Sequence, residues 1–341
     1  MTIAARQRAV PALEPDPEGD GAMRIALCLN STYTPWAATT IASCLRANPG
    51  RAMRFEIVHD CTLVESEVEG LQQVVHEAPG ASVAFHPVPP ASGLSDLPTT
   101  ADFGNVVWLR LYLPEILGGV RKALYLDADT FVAGDLTDLW NTPLDEAPLA
   151  AVANVVEPPL RGHVAALGVG YPGGYFNSGV LLLNLEAMRA RDTLDRLLRF
   201  ALDRRQDLIW PDQDVLNAVF AGQWVPLHPR YNAQSSLWHP AGWAVEVFGD
   251  RDVREAKRAP VIRHFEGRGL CKPWHYMCPV PGYKEYRKVL ATTPWAHMPI
   301  EDRTPATRLI RLLPGDLQLR TYRRLERWRT DRVAAPADAG S

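Results

Sequence analysis

The sequence ALYLDADTFVAGD, Ala123–Asp135, contains both a strand and a candidate site. It begins with a short apolar run, which predicts a buried strand of a parallel sheet. Asp127 and Asp129 follow at once, and residues two apart in an extended chain project to the same side. Because ligands of open α/β sheets bind outside the carboxyl ends of the strands, we expect the two carboxylates to line a site there.

This pair of carboxylates indicates a metal. Two adjacent anionic groups repel each other unless a cation lies between them. Oxygen ligands suit a hard divalent ion, Mg²⁺ or Mn²⁺, and such an ion in turn suits a substrate diphosphate. The first hypothesis is therefore a metal-diphosphate site at the end of a strand.

Strands and helices alternate on the N-terminal side of this stretch. Apolar runs predict three earlier strands, at Met23–Leu29, Arg54–Val58 and Ser82–Val88, with helices between them. A further helix, which carries Arg110, is predicted over Phe103–Ile116. We predict an α/β fold with a mixed, mostly parallel sheet flanked by helices.

The composition is that of an ordinary globular protein, with 47% hydrophobic and 22% charged residues among 341. No apolar run has the length of a membrane span, and the N-terminus lacks a secretory pattern. Five cysteines, an odd number in mostly apolar surroundings, indicate reduced cytosolic thiols. We interpret residues 1–22 as a disordered leader, 23–298 as a catalytic domain and 299–341 as a basic amphipathic, helical C-terminal tail.

The segment Arg303–Arg332 is strongly basic. It has nine arginines and three acidic residues, a charge of +6 in a chain whose total is −3. Leucine, tyrosine and tryptophan alternate with the arginines, and Pro314-Gly315 divides the segment. One interpretation is a terminal helix packed on the domain; the other, which we favour, is an amphipathic surface that contacts anionic membrane. We therefore expect a cytoplasmic protein, peripherally associated with the inner face of the cell membrane, without a nucleic-acid partner.

Two rival classes of protein remain open. Asp-x-Asp-x-Thr after an apolar run is also how haloacid dehalogenase-like phosphatases begin, with the first Asp as nucleophile and the second as general acid. In that family the motif usually ends the first strand of the domain, whereas three predicted strands precede it here. The other class is a non-catalytic nucleotide-sugar-binding protein, which would bind UDP with metal but show no turnover.

Five motifs in order resemble glycosyltransferase family 8, a group with the GT-A fold that contains bacterial lipooligosaccharide galactosyl- and glucosyltransferases and glycogenin. The motifs are LYLDADTFVAGDLTDLW, YFNSGVLLLNL, WPDQDVLNAVF, RYN at 230–232 and HFEGRGLCKPWH. The resemblance covers residues 23–274. It implies a UDP-hexose donor, a divalent metal, typically Mn²⁺, and transfer with retention of anomeric configuration.

The resemblance implies a metal site and a nucleotide site. The implied metal ligands are Asp127, Asp129 and His264. The implied contacts of the nucleotide and diphosphate are Cys28, Asn30, Tyr33, Asp127, Ala128, Gly267 and Lys272. Many members have an Asp at the position of Asn30, but an amide both donates and accepts, so uracil recognition remains open. The loop that carries Lys272 is two residues longer than the common pattern.

The resemblance also implies a group of residues beside the transferred sugar: Arg110, Asn154, Asn177, Asp212 and Gln213. Many galactosyl members have Asp where this chain has Asn154, so the donor, UDP-galactose or UDP-glucose, stays open. Retention needs a nucleophile on the far face of the sugar or attack from the same face. Gln213 stands at the nucleophile position and an amide is a poor nucleophile, so we favour same-face attack over a covalent role for Asp212. The expected acceptor is a hydroxyl group of a glycan or glycolipid.

Overall fold

A computed structural model describes residues 21–89, 94–99, 104–239 and 241–334. Residues 1–20 of the predicted leader and residues 335–341 of the predicted tail lie outside these ranges. Within them the chain forms nine strands: β1 Met23–Leu29, β2 Met53–His59, β3 Ala81–Pro87, β4 Lys122–Leu126, β5 Thr130–Val132, β6 Leu149–Ala153, β7 Phe176–Asn184, β8 Val225–Pro226 and β9 Ile262–His264.

Seven of these strands form one sheet, in the order β3-β2-β1-β4-β7-β6-β8. The first four strands in this order are parallel neighbours, and β6 is parallel to β8. Strand β7 runs antiparallel to both β4 and β6. The prediction of an α/β fold with a mixed, mostly parallel sheet is confirmed, and β4 lies at its centre.

The described residues also form twelve helices: α1 Thr34–Ala47, α2 Glu65–His76, α3 Leu113–Ile116, α4 Thr137–Trp140, α5 Arg161–Ala166, α6 Leu185–Ala190, α7 Thr193–Asp203, α8 Pro211–Val219, α9 Trp243–Arg258, α10 Tyr283–Leu290, α11 Pro305–Ile310 and α12 Gly315–Ala334. In the helix predicted over Phe103–Ile116, Phe103 lies outside the described residues, Asn105–Tyr112 forms a 3₁₀ helix, and only Leu113–Ile116 is α-helical. Pro114 lacks the N–H that an α-helix would need to continue back through Arg110, so the α-helical turn begins at Leu113.

The sheet has an apolar core on each face, because alternate residues of a strand point to opposite sides. In β1, Ile25 and Leu27 face one core and Ala26 faces the other. Helices α1, α2 and α10 cover the first face, and α6, α7, α8 and the 3₁₀ helix cover the second. Burial on both faces explains why the central strands consist of nearly continuous apolar runs.

A second, two-stranded sheet brings a distant segment to the end of β4. Strands β5 and β9 pair antiparallel, and Thr130 lies opposite His264. Since Thr130 directly follows Asp129, this pairing places His264 beside the aspartates.

The C-terminal helices α11 and α12 pack partly on the domain and are separated near Pro314-Gly315. Ile310 and Tyr322 are buried against Met277, and Tyr322 Oη lies 3.2 Å from His275 Nε2. Four other apolar side chains of this segment are exposed: Leu309, Leu312, Leu317 and Trp328. The segment therefore packs on the domain along one part of its surface, and membrane contact by the exposed part stays a prediction. Among the residues that the structure describes, no helix combines the length and apolar character needed to cross a membrane.

Candidate active site

The three predicted metal ligands converge at the carboxyl end of β4. Asp127 and Asp129 follow this strand, and His264 ends β9. His264 Nε2 lies 3.8 Å from Asp127 Oδ2 and 3.2 Å from Asp129 Oδ1. One ligand atom from each residue lies within 4.8 Å of the other two. The structure therefore brings together two carboxylates and one imidazole, a ligand set that suits Mn²⁺.

Hydrogen bonds give the two oxygens of Asp127 different surroundings. Tyr125 Oη donates to Oδ1 at 2.6 Å, and Arg110 Nη2 lies 2.9 Å from the same oxygen. Oδ2 instead faces His264. Tyr125 reaches Asp127 because the two residues are two positions apart and project to the same side of the extended chain. The carboxylate is thus oriented with one oxygen toward the other metal ligands.

Asp129 is buried but remains ionised. Burial opposes ionisation, but Lys272 and His264 outweigh it and hold the pKa of the Asp129 carboxyl below its usual range. Lys272 Nζ forms an ion pair with Oδ2 and also donates to the Phe265 carbonyl oxygen at 3.1 Å. Oδ1 is buried and makes no hydrogen bond of acceptable geometry, even to the nearby His264. A buried oxygen in this state is costly, and a cation among the three ligands would satisfy it.

Gly179 leaves space between the three candidate metal ligands. Its carbonyl oxygen accepts the Asp127 N–H at 2.8 Å, which fixes β7 against the end of β4. A Cβ atom on Gly179 would lie 2.2 Å from His264 Cε1 and 2.6 Å from Asp127 Oδ2. The ligand set, the unpartnered oxygen of Asp129 and this space all fit a divalent cation.

Arg110 connects the metal ligands to the residues predicted beside the sugar. Its Nε lies 3.2 Å from Asp212 Oδ2, and its Nη1 donates to the Ser178 carbonyl oxygen at 2.9 Å. Burial raises the pKa of Asp212, and the positive charge of Arg110 opposes that rise. Because Arg110 also contacts Asp127, one buried guanidinium links the two carboxylates.

Hydrogen bonds connect Gln213 and Asn154 to β7, the strand that carries Asn177. Gln213 Nε2 donates to Tyr175 Oη at 3.1 Å, and its Oε1 accepts the Ser178 N–H at 3.0 Å. Asn177 Nδ2 donates to Asn154 Oδ1 at 3.3 Å. Gln213 and Asn177 are buried, so these hydrogen bonds determine how their amides are oriented.

Three residues predicted at the nucleotide lie at the end of β1. Cys28 is half-buried near Arg110, and desolvation raises the pKa of its thiol. Asn30 Oδ1 accepts the Tyr33 N–H at 3.3 Å and so caps the short 3₁₀ turn that leads into α1. Tyr33 is exposed, but partial desolvation raises the pKa of its hydroxyl, and the positive charge of Lys272 opposes this rise.

Ala128 and Gly267 shape the turns around the site. The Ala128 carbonyl oxygen accepts a hydrogen bond from Thr40 Oγ1 at 3.0 Å, which ties the aspartate turn to α1. Gly267 has φ 89°, a left-handed conformation that favours glycine, and a Cβ there would lie 3.4 Å from Cys271 Sγ. This turn lets the loop fold back so that Lys272 reaches Asp129.

Four residues of the site have no role in the sequence-based prediction: Tyr125, Ser178, Gly179 and Asn232. Tyr125 could have been recognised from the sequence, because a residue two positions before Asp127 in an extended strand projects to the same side of the chain. Ser178 and Gly179 follow Asn177 in a quoted motif, but their neighbours depend on the pairing of β7 with β4. Asn232 ends the quoted motif RYN, and only the fold places it against His264.

The family model described as Glycosyl transferase family 8 matches residues 24–278 of the chain. Three curated relatives are similar to it. General stress protein A of Bacillus subtilis is 30% identical over 195 residues, 56% of this chain and 66% of that protein. Lipopolysaccharide 1,2-glucosyltransferase of Escherichia coli is 29% identical over 208 residues, 59% of each. Lipopolysaccharide 1,3-galactosyltransferase of Salmonella typhimurium is 24% identical over 280 residues, 80% of this chain and 79% of that protein.

The first two of these matches each cover less than two thirds of the length of the relative itself. Among solved structures, galactosyltransferase LgtC in complex with donor and acceptor sugar analogues has a TM-score of 0.70 and 24% identity, covering 80% of this chain and 96% of that one. The apo structure of the bifunctional glycosyltransferase WbbM has a TM-score of 0.67 and 21% identity, covering 84% of this chain and 52% of that one. These similarities confirm the predicted GT-A fold.

Proposed function

This chain belongs to glycosyltransferase family 8, and on that basis we propose that it transfers galactose or glucose from a UDP-sugar to a hydroxyl group of a glycan or glycolipid. Enzymes of this family use a divalent metal and a nucleotide sugar. The observation that carries the proposal is the convergence of Asp127, Asp129 and His264, with Lys272 beside them, at the end of β4. This is where ligands bind in open α/β sheets.

The departing UDP carries negative charge that the site must stabilise. A divalent cation, Mn²⁺ in this proposal, would be held by Asp127, Asp129 and His264 and would neutralise charge on the diphosphate. Lys272 supplies a second positive charge. Burial would lower the pKa of Lys272, but Asp129 outweighs burial and raises it, so the ammonium group stays charged.

The contacts of Asp212 and Gln213 support attack from the same face of the sugar. Asp212 Oδ2 accepts a hydrogen bond from Ser178 Oγ at 2.9 Å and lies against Arg110, which already neutralises its charge. Gln213 is an amide whose two ends are both hydrogen-bonded. Since neither is a free carboxylate, we propose retention by same-face substitution, in which a phosphate oxygen of departing UDP accepts the proton of the acceptor hydroxyl.

The acceptor proposal rests on the C-terminal segment. The exposed Leu309, Leu312, Leu317 and Trp328 lie in a stretch with nine arginines, which is the composition of a surface that contacts anionic lipid. We therefore propose that the acceptor is a lipid-linked glycan or another envelope glycoconjugate, and that the enzyme binds at the cytoplasmic face of the membrane.

A thermal-shift experiment tests the donor and the metal. The purified protein is melted with UDP, GDP or ADP, each with and without Mn²⁺. At 100 times its Kd, a nucleotide that binds only the folded state stabilises it by about 2.7 kcal/mol. We expect stabilisation by UDP with Mn²⁺, which Asp129→Asn abolishes and Asp138→Asn, an exposed residue of α4, preserves. No response to any nucleotide, together with hydrolysis of a generic phosphate ester that Asp127→Asn abolishes, would support the phosphatase instead.

A further inference from the structure

A chain of buried amides joins the candidate metal ligand His264 to the residues beside the sugar. His264 Nδ1 lies 3.0 Å from Asn232 Oδ1, and Asn232 Nδ2 donates to Asn177 Oδ1 at 2.8 Å. Asn177 Nδ2 in turn donates to Asn154 Oδ1. Asn232 is 1% exposed and His264 is 3% exposed, so water does not compete for the two contacts of Asn232, whereas the contact between Asn177 and Asn154 is only partly buried.

The direction of every hydrogen bond in this chain follows from one backbone group. The Gly179 N–H donates to Asn177 Oδ1 at 3.0 Å, and a backbone N–H can only donate. The Asn177 atom at this position is therefore an oxygen, and the Asn232 atom that faces it is the amide nitrogen. The other end of the Asn232 amide is then an oxygen, which requires a proton on His264 Nδ1.

With its proton on Nδ1, His264 has Nε2 free to bind a metal. A neutral imidazole with its proton on Nδ1 has its lone pair on Nε2. Nε2 is the ring atom that faces Asp127 and Asp129. Metal-binding histidines commonly donate their second ring N–H to an oxygen, which fixes both tautomer and ring orientation.

We propose that Asn232 is a positioning residue that holds His264 in its metal-binding tautomer through Oδ1 and orients Asn177 through Nδ2. The inference rests on the proposed metal-dependent function. The two ends of the Asn232 amide then have different roles, which substitutions can distinguish. The oxygen acts on the metal site through His264, and the nitrogen acts on Asn177, which is predicted to lie beside the sugar.

Two substitutions separate these halves. Asn232→Leu keeps the approximate side-chain shape and removes both hydrogen bonds. Asn232→Asp keeps an acceptor for His264 Nδ1–H but loses the donor to Asn177. Asn48→Leu is the matched control, because Asn48 is a buried amide that hydrogen-bonds to the Cys44 carbonyl oxygen and the Leu136 N–H on another side of the fold.

Mn²⁺ affinity is measured for each full-length chain by electron paramagnetic resonance of free Mn²⁺, and folding by near-ultraviolet circular dichroism. We expect Asn232→Leu to bind Mn²⁺ about 10- to 100-fold more weakly, the usual effect of losing such a partner. Asn232→Asp is expected to bind Mn²⁺ at least as tightly as the wild type and to lower kcat for UDP-sugar hydrolysis. Asn48→Leu is expected to retain wild-type Mn²⁺ affinity.

Unchanged Mn²⁺ affinity in a folded Asn232→Leu protein would overturn this inference alone, as would equal losses in the Leu and Asp variants. Absence of Mn²⁺ binding by the wild type would overturn the proposed metal site as well. A measurement on the wild type needs no variant to fold: ¹⁵N resonances of histidine-labelled protein with Cd²⁺ should show a protonated Nδ1 and a metal-bound Nε2 on His264. The opposite assignment would overturn the inference.

Discussion

Gly179→Ala should remove the metal site while leaving the fold in place. The added Cβ atom would lie 2.2 Å from His264 Cε1 and 2.6 Å from Asp127 Oδ2, atoms of two different ligands. Carbon atoms in contact are about 3.5–4.0 Å apart, so the imidazole must move by about 1.3 Å or more. The distance between a metal and its ligand atom varies by only about 0.2 Å. A movement of this size would therefore remove at least one ligand from the metal.

The expected effect is at least a 100-fold loss of Mn²⁺ affinity, about 2.7 kcal/mol. The accompanying loss of stability is about 1–3 kcal/mol, the usual cost of overpacking. Mn²⁺ affinity is followed by paramagnetic resonance and stability by thermal unfolding without metal. Gly162→Ala is the matched control, since its Cβ would meet no atom within 4 Å. Wild-type Mn²⁺ affinity in Gly179→Ala would refute the placement of the metal among these three ligands.

Three further predictions concern stability, membrane contact and the tail. Burial raises the pKa of the Glu115 carboxyl to about 7, so Glu115 ionises in the unfolded chain before it does in the folded protein, and the protein loses stability as the pH rises from about 4.5 to 7. Glu115→Gln should therefore stabilise the protein by about 2 kcal/mol at pH 8 and by little at pH 4.5. A difference in melting temperature between variant and wild type that does not change with pH would contradict this prediction. Replacing Leu312 and Trp328 by Ser should reduce sedimentation with anionic vesicles and spare UDP binding; unchanged sedimentation would count against membrane contact. Tyr322→Ala should weaken UDP binding, because Tyr322 packs in one cluster with Leu270, which lies two residues before Lys272 in the same loop. Wild-type UDP affinity in this variant would show that the tail does not support that loop.

The sequence allowed prediction of the sheet and of the aspartate pair because both signals are local. An apolar run followed by two aspartates defines the end of β4 without reference to the rest of the chain. The position of His264 depends on the pairing of β5 with β9, segments that are far apart in sequence. Only the resemblance to a family indicated that this histidine belongs with the aspartates.

Local sequence patterns could not predict the role of Asn232 or the packing of the tail. The role of Asn232 depends on the direction of hydrogen bonds that begin at the Gly179 N–H, and no spacing in the sequence encodes that direction. The tail has apolar residues on more than one side, so periodicity did not show that Tyr322 packs inward while Leu312 is exposed. Pro114 was the one local signal that could have corrected the predicted helix over Phe103–Ile116.

Proton NMR of the anomeric signals tests whether the enzyme cleaves a UDP-sugar with retention in a metal-dependent reaction. The full-length protein is incubated with UDP-galactose or UDP-glucose and Mg²⁺, which replaces paramagnetic Mn²⁺, with water as acceptor. We expect release of UDP and first appearance of the α-anomer of the free sugar, both abolished by EDTA and by Asp129→Asn. An intact UDP-sugar alongside hydrolysis of a simple phosphate ester, or first appearance of the β-anomer, would contradict it.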